Sequence, residues 1–461
     1  MAKLEPTNKN LQVYNMLPVF MQNILCSVKG YHLEKTRYNT DFHKMLAEFN
    51  SRKDWSYEQI CEYRDARLRA IVKHAAENVP YYQRLFKEGG VDYHEIKTLD
   101  DMKLIPITTK DDLLKHYDEW KATGYDFSRC YHAHTSGTTG AGLQFMTTPE
   151  SAHAQWSGFW RARQELGISF GEWSGSFGNK LIVPRSQTKP PFWRISYPGK
   201  MIYFSGYHEK GENLQSYYEY IKKNQLTWLH GYPSLLTALA TYMVENDLHF
   251  DFVKYVTTAA ENLLPYQVKT MKEAFGVRPV QVYSQTEEVA LFHQTTDGTI
   301  YVDEDFSAVE FLPQGNGQYQ VIGTNLYNYA FPFIRYATKD TVTLPEEKIK
   351  NGRRVVESID GRLEDYIYLP DGTKIGKFYH VFEDTPGFAE VQLHQNEDYS
   401  ITIYAVKRAE DISKDEKIAT DMMKLSVGDA VPFRFEYVDS VPRTKSGKLR
   451  FIVSDVKDKT K

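Results

Sequence analysis

The sequence predicts an α/β protein: a large N-terminal domain of β-α-β sheets with an added antiparallel β section, hinged to a small α+β C-terminal domain. Three observations carry this. Between residues 180 and 283, short apolar runs alternate with helical stripes, the order that builds a parallel sheet covered by helices on both faces. Beyond residue 300 the stripes stop and strand-like runs follow one another. The chain has 461 residues, too many for one core and suited to two or three domains. A charged turn, Asp360-Gly361-Arg362-Leu363-Glu364-Asp365, reads as the linker. It divides the chain into 1–361, with a helical region over about 1–130, and 362–461.

Taken in order, Cys61, Leu68, Ile71, Val72, Ala75 and Val79 fall on one helical face, and Pro80 stops that run. Turn-rich stretches at Gly89-Gly90 and 105–110 follow. A helix is expected to start near Pro149, with Trp156, Phe159 and Trp160 on its buried face. The spacing then predicts strands over 181–183, 201–204, 226–230, 253–259 and 279–283. Between them, Leu214, Tyr217, Tyr218 and Ile221 mark one helix, 235–243 a second with Ser234 as its N-cap, and 265–275 a third. Antiparallel strands are expected over 318–322, 333–336 and 340–344. Ligands of parallel sheets gather at the carboxyl ends of strands, so the residues after these strands hold the candidate chemistry.

Composition narrows the function. With 56 basic and 60 acidic side chains the formal net charge is −4, which carries no polyanion-binding signature; nucleic acid is not expected as a partner. Cys26, Cys61 and Cys130 lie far apart without C-x-x-C spacing, which fits a reducing cytosol and neither a disulfide framework nor a zinc site. No secretory leader or uninterrupted apolar span of membrane length stands out, so a cytoplasmic protein without membrane insertion is expected. The 33 tyrosines read as core and surface residues and not as a base-stacking platform.

One loop draws attention. From Thr135 to Gly142, hydroxyls (Thr135, Ser136, Thr138, Thr139) alternate with glycines (Gly137, Gly140, Gly142). Such a stretch can turn backbone N–H groups and side-chain O–H donors toward a phosphate. No Gly-Lys-Ser/Thr follows it, so it is not a Walker loop. Alone, it reads better as a flexible surface loop.

Four later segments change that balance. Thr135-Ser136-Gly137-Thr138-Thr139-Gly140, Tyr283-Ser284-Gln285-Thr286-Glu287, Tyr336-Ala337-Thr338-Lys339-Asp340, Gly361-Arg362 and Ser446-Gly447-Lys448 follow in order along the chain. Together they resemble the phosphate loop, aromatic-Gly-x-Thr-Glu, ribose, hinge and lysine motifs of the adenylate-forming superfamily of acyl ligases. Within it, Val79-Pro80-Tyr81-Tyr82, 181–184, 189–193 and His230-Gly231-Tyr232-Pro233-Ser234 resemble the phenylacetate–coenzyme A ligase-like branch associated with capsular polysaccharide biosynthesis. Departures are Ala141 in place of a frequent Lys, Ser284 in place of Gly, and Glu364 at the hinge in place of Asp or Lys.

The resemblance implies ATP-dependent activation of a carboxylic acid to an acyl-adenylate, then acyl transfer to coenzyme A or to an amine or hydroxyl acceptor such as an amino sugar. The loop Thr135 to Gly140 would hold phosphates, and Glu287 would take Mg²⁺ as a hard oxygen ligand. Thr286 would donate to the α-phosphate and Tyr283 would stack on adenine. Ser284, Gln285, Ala260 and Glu261 would line the nucleotide, while Asp340 would accept the ribose hydroxyls. Arg362 would contact ribose or phosphate, Glu364 would be the hinge, and Lys448 would stabilise the pentacovalent α-phosphate, with Lys445 a nearby decoy. His230 and Tyr232 would border the acid's pocket. Without the motif set, Glu287 and Asp340 read as surface or turn acids, Arg362 as a salt-bridge partner, Lys448 as a solvated lysine and His230 as a core histidine. A non-catalytic nucleotide-binding scaffold descended from such enzymes is the competing expectation.

Overall fold

The computed structural model describes residues 9–134, 143–178, 180–209, 211–315, 317–362, 367–370, 374–375, 378–382, 385, 387–408, 410–428, 431–443 and 449–456. Helices α1 (Lys9–Met16), α2 (Val19–Arg37), α3 (Thr40–Ser51), α4 (Tyr57–Asn78), α5 (Pro80–Gly89) and α6 (Lys110–Lys115) come first. An antiparallel pair follows, β1 (Tyr131–His134) and β2 (Gln144–Thr147), then α7 (Pro149–Glu165). Next are β3 (Ser174–Gly178), β4 (Trp193–Ser196), β5 (Met201–Ser205), α8 (Glu212–Asn224) and β6 (Trp228–Gly231). The run continues through α9 (Pro233–Glu245), β7 (Tyr255–Ala259), α10 (Pro265–Phe275), β8 (Val280–Ser284), β9 (Leu291–Gln294) and β10 (Ile300–Val302). Then come β11 (Ser307–Gly315), β12 (Gln318–Asn325), β13 (Tyr336–Thr343), β14 (Ile349–Lys350), β15 (Arg353–Val356) and β16 (Ser358–Arg362).

The chain divides into two compact units. The first comprises Met1–Asn39 and Gly167–Pro279. Its strands run in the order β4-β5-β3-β6-β7; β5, β3, β6 and β7 are parallel and β4 is antiparallel to β5. Leu214, Tyr217 and Ile221 of α8, Leu235, Leu236, Leu239 and Met243 of α9, and Met271 and Phe275 of α10 close a core with Phe177, Phe204 and Leu229 from the strands. The helical stripes of the sequence are thus the faces that pack.

The second unit comprises Thr40–Leu166 and Val280–Lys461. Here β8-β9-β10-β15-β14 and β11-β12-β13-β16 are antiparallel runs. The apolar face of α4 packs as expected through Leu68, Ile71, Val72 and Ala75, and Ser56 caps it in a capping box with Gln59. Residues 388–454 form a further sheet of Phe388–Gln395, Ile401–Lys407, Phe433–Tyr437 and Ile452–Ser454, packed with helix Ser413–Val427 around its own core of Leu393, Ile403, Ala419 and Met423.

A chain of buried ion pairs crosses the second unit. Arg161 donates to Asp303 (2.6 Å) and to both oxygens of Asp305 (2.8 Å each), and Arg52 Nε adds a further bond to Asp305 at 2.8 Å. Arg64 and Arg354 both reach Glu304, the former at 2.6 Å. His293 bridges Asp303 (2.8 Å) and Glu165 (3.1 Å). Burial opposes its charge, but Asp303 and Glu165 outweigh burial and raise its pKa to about 9.

Several expectations need correction. Residues 181–183 form no strand; instead the Ser/Gly-rich Ser174–Gly178 becomes β3 in the middle of the first sheet, where small residues fit between neighbours. Of the expected strand 333–336 only Tyr336 is in a strand: β13 begins there, just after Arg335 (φ 51°), and runs through Lys339 (φ 64°) to Thr343, taking in most of the expected 340–344. The buried face of α7 is Ala154, Ser157, Gly158 and Arg161 with Trp160; Trp156 and Phe159 are half-buried. Small residues win there because α7 lies close against α3 and β9. Ser234 is not the cap of α9: Pro233 takes the first helical position, and Ser234 Oγ is buried with no partner among the described residues.

Candidate active site

In the first unit, the end of β6 places His230 beside β7. Trp228 Nε1 donates to Thr257 Oγ1 at 2.9 Å, and His230 Nδ1 lies 2.9 Å from the same oxygen. All three groups are satisfied when Thr257 donates to Nδ1, which puts the ring proton on Nε2. Gly231 follows because no side chain fits: a Cβ there would meet Phe177 O at 2.1 Å. Tyr232 N–H donates to Phe177 O (3.0 Å), and burial, then Glu261 and Tyr207, raise the pKa of its hydroxyl. After β7, Ala260 adopts φ 71°, a conformation that residues with a side chain seldom hold. The Glu261 carboxylate accepts from Ser234 N at 3.0 Å, so it, and not Ser234, serves the positive end of α9. Its side chain is therefore engaged with α9.

In the second unit, β8 brings Tyr283 to β13. The Tyr283 hydroxyl donates to Asp340 Oδ2 at 2.8 Å, and Gln285 Nε2 donates to the Tyr283 oxygen. Burial, then the Asp340 carboxylate, hold the tyrosine pKa well above its ordinary value, so it remains a donor. Its ring stacks on Phe292 at 4.8 Å. Asp340 is the direct cross-strand partner of Arg362, one pair in the β13–β16 ladder. Gln285 Oε1 is buried without a partner among the described residues. Thr286 is exposed and Glu287 half-buried at the turn after β8.

Glu288, passed over in the sequence, proves to be the buried acid of that turn. It adopts φ 58° and accepts from Thr147 Oγ1 at 2.9 Å and from Ser151 Oγ. Asn325 Nδ2 stands 3.5 Å from the same oxygen and 3.4 Å from Glu287 O. Burial raises the Glu288 pKa to about 7 against these hydrogen bonds. Gln155 on α7 was also missed: its Nε2 donates to Ser284 Oγ (3.2 Å) and Gln285 O (3.0 Å), tying the turn to the helix. A glutamine amid the tryptophans of α7 carried no signal for this.

Thr135, Ser136, Gly137, Thr138, Thr139, Gly140, Glu364, Lys445 and Lys448 lie outside the described residues, and only the backbone of Arg362 is described. Of nine non-glycine residues at positive φ among the described residues, Ala260, Glu288, Arg335 and Lys339 lie in or beside the motif segments. Strained backbone of this kind collects at ligand sites. Among the described residues there is no group of three or more His, Cys, Asp or Glu able to hold a metal, and no helix is long and apolar enough to cross a membrane.

The fold is that of the adenylate-forming acyl ligases. 2-Hydroxyisobutyryl-CoA ligase, solved in the postadenylation state in complex with R3-HIB-AMP, matches with a TM-score of 0.68 at 15% identity, over 88% of this chain and 91% of that one. Residues 367–455 match the CapK C-terminal domain family. Along the sequence, the chain is 25% identical to Protein CapK of Staphylococcus aureus over 454 residues, covering 96% of this chain and 99% of that protein. It is 23% identical to phenylacetate-coenzyme A ligase of Escherichia coli (strain K12) over 341 residues, 68% and 74% of the two chains. The chain is thus homologous to CapK and to the phenylacetate-coenzyme A ligases, as the motif resemblance implied.

Proposed function

We propose that this chain is a cytoplasmic ligase that activates a carboxylic acid with ATP, releases pyrophosphate, and passes the acyl group from the adenylate to coenzyme A or to an amine or hydroxyl acceptor. The observation that carries the reading is the Tyr283–Asp340 pair, with Arg362 across the ladder from Asp340. A carboxylate held in place by a buried phenol is an oriented acceptor, the group that ribose hydroxyls require. The unpartnered Gln285 acceptor nearby suits a nucleotide N–H or O–H donor. The similarity to 2-hydroxyisobutyryl-CoA ligase with its HIB-AMP complex and to phenylacetate-coenzyme A ligase supports the same class.

In this reading the acid's carboxylate attacks the α-phosphorus in line. Two anions must be brought together while charge spreads onto phosphoryl oxygens, so positioned donors and cations supply the rate. Thr286 at the end of β8 would donate to the α-phosphate. Lys448 would stabilise the pentacovalent phosphorus, and residues Thr135 to Gly140 would hold the leaving phosphates. Mg²⁺ that arrives with ATP needs one carboxylate plus phosphate and water oxygens, a set that Glu287 fits without a preformed cluster. Glu288, caged by Thr147, Ser151 and Asn325, fixes the turn that aims Glu287. His230, oriented by Thr257, and Tyr232 would border the acid. Residues 362–461 would swing as a small domain about Glu364, bringing Lys448 in for adenylation and out for transfer. The acceptor would be coenzyme A or a sugar amine or hydroxyl in surface polysaccharide biosynthesis, as the motif resemblance to the capsule-associated branch implies.

The test is acid-dependent ATP–pyrophosphate exchange over a panel of carboxylic acids. Exchange with one class of acid is expected. Tight nucleotide binding with no exchange for any acid would favour the scaffold instead.

A further inference from the structure

Helix α2 is attached to the molecule by its polar side. β4 is the outer strand of the first unit's sheet, and its outward backbone groups need partners. They find them in α2 side chains: Asn23 Oδ1 accepts from Ile195 N at 3.0 Å, and Ser27 Oγ accepts from Tyr197 N at 3.3 Å. Gln22 accepts from the buried Arg194 and donates back to Leu17 O at 2.9 Å. Gly30 completes the contact, since a Cβ there would sit 2.0 Å from Ser196 Oγ. Asn, Ser and Gln close the sheet edge, so the apolar side of the helix is turned outward.

That outward side is a continuous stripe. Phe20 is 64% exposed, Ile24 57%, Val28 61% and Tyr31 56%, at the spacing of one helical face. Met21 and Leu25 flank them, and Val13 and Met16 of α1 are exposed as well. Single exposed apolar residues mean little, but a contiguous patch marks an interface. Together these side chains expose on the order of 800 Å², about what each partner of a standard interface contributes.

We propose that this stripe is the two-fold interface of a homodimer, α2 of one protomer packing antiparallel on α2 of a second copy. An apolar ridge centred on Ile24 and Val28 is self-complementary about a two-fold axis, the commonest symmetry of soluble oligomers. Its exposed charges are Lys29 and Lys35, off the centre, and no carboxylate of α2 is exposed. An apolar centre rich in Met and aromatic residues with charge at its edge is the composition of interface cores. An anionic lipid surface fits less well. Two lysines contribute about 1 kcal/mol each at such a surface, on a chain of net charge −4, and one weak signal does not hold a protein to a membrane.

Sedimentation velocity on the full chain at micromolar concentration tests this. A species of twice 53.6 kDa is expected, converted to monomer by the pair Ile24→Asp and Val28→Asp, with the circular dichroism spectrum unchanged. Independently of that variant's folding, Val28→Cys should form an intermolecular disulfide on mild oxidation that the wild-type chain, with its half-buried Cys26, Cys61 and Cys130, does not form. A monomeric wild type would overturn the proposal. So would a dimer that survives the aspartates in a folded protein without Val28→Cys cross-linking, or a monomer that co-sediments with phosphatidylglycerol vesicles.

Discussion

Asp303, Glu304 and Asp305 are buried in the same unit as Glu288, yet the two sites are neutralised in opposite ways. The first three are ion-paired with Arg52, Arg64, Arg161, Arg354 and His293, and against the effect of burial Arg161 and Arg52 hold the Asp305 carboxyl below its ordinary range. Glu288 is met by two hydroxyls and an amide, and its pKa climbs to about 7. One set is a closed charge balance that fixes α3, α4 and α7 to the strands. The other is a hydroxyl-lined acid in the turn after β8, next to Glu287, the residue proposed to take the Mg²⁺ that accompanies ATP. Burial alone does not mark a functional acid; the chemistry of what surrounds it does.

The largest effect should come from unbalancing the closed network. Arg161→Met leaves Asp303 with His293 and Asp305 with Arg52 as their remaining cationic partners, and should destabilise by about 3–5 kcal/mol, read from urea denaturation. If the loss is under 1 kcal/mol, the network is not the fixed element described. On the catalytic side, Lys448→Ala should slow adenylation by ~10² to 10³, with ATP affinity little changed. Retained exchange would move the role to Lys445. Asp340→Ala should weaken ATP binding by about 1.5–3 kcal/mol for each charge-assisted bond lost, and calorimetric titration with an unchanged Kd would remove Asp340 from the site.

His293 makes the contrast pH-dependent. Its folded pKa, about 9, lies above the ordinary histidine value, so its contribution is complete below about pH 6.5 and is lost as pH rises through 9. Thermal melts of the wild type should fall across that window, and His293→Asn should be less stable at pH 6 and flatter above it. A parallel decline in the variant would assign the slope elsewhere. Smallest of all, Glu288→Gln keeps the shape and removes a carboxyl already half protonated near neutrality. A change below about 1 kcal/mol at pH 7 is expected, and one comparable to Arg161→Met would erase the distinction between the two sites.

The parallel strands β5, β6 and β7, the strand β8, and the stripes of α8, α9 and α10 were legible because their apolar spacing is the spacing of burial. β3 was not: Ser174–Gly178 has no alternation, and its place in the sheet comes from neighbours that need small residues between them. The apolar run 181–183 failed for the converse reason, since no strand edge pairs with it. The turn residues Tyr283, Glu287 and Asp340 could be picked out because their motifs are local. Gln155, Thr147, Ser151 and Asn325, which hold that turn, come from three distant segments, and only the fold brings them together. The apolar run 333–334 reads as a strand but is buried as irregular chain before Arg335 turns to positive φ, and β13 starts only at Tyr336.

The chemistry at the α-phosphorus is the centre of the account, and isotope tracing reaches it directly. A reactive carboxylic acid found in the exchange panel, labelled with ¹⁸O in its carboxylate, is turned over with ATP, Mg²⁺ and an acceptor, and the nucleotide product is analysed by mass spectrometry. Attack on the α-phosphorus places one ¹⁸O in AMP, with unlabelled pyrophosphate as the other product. ADP with the label in inorganic phosphate, or AMP that carries none, would contradict it.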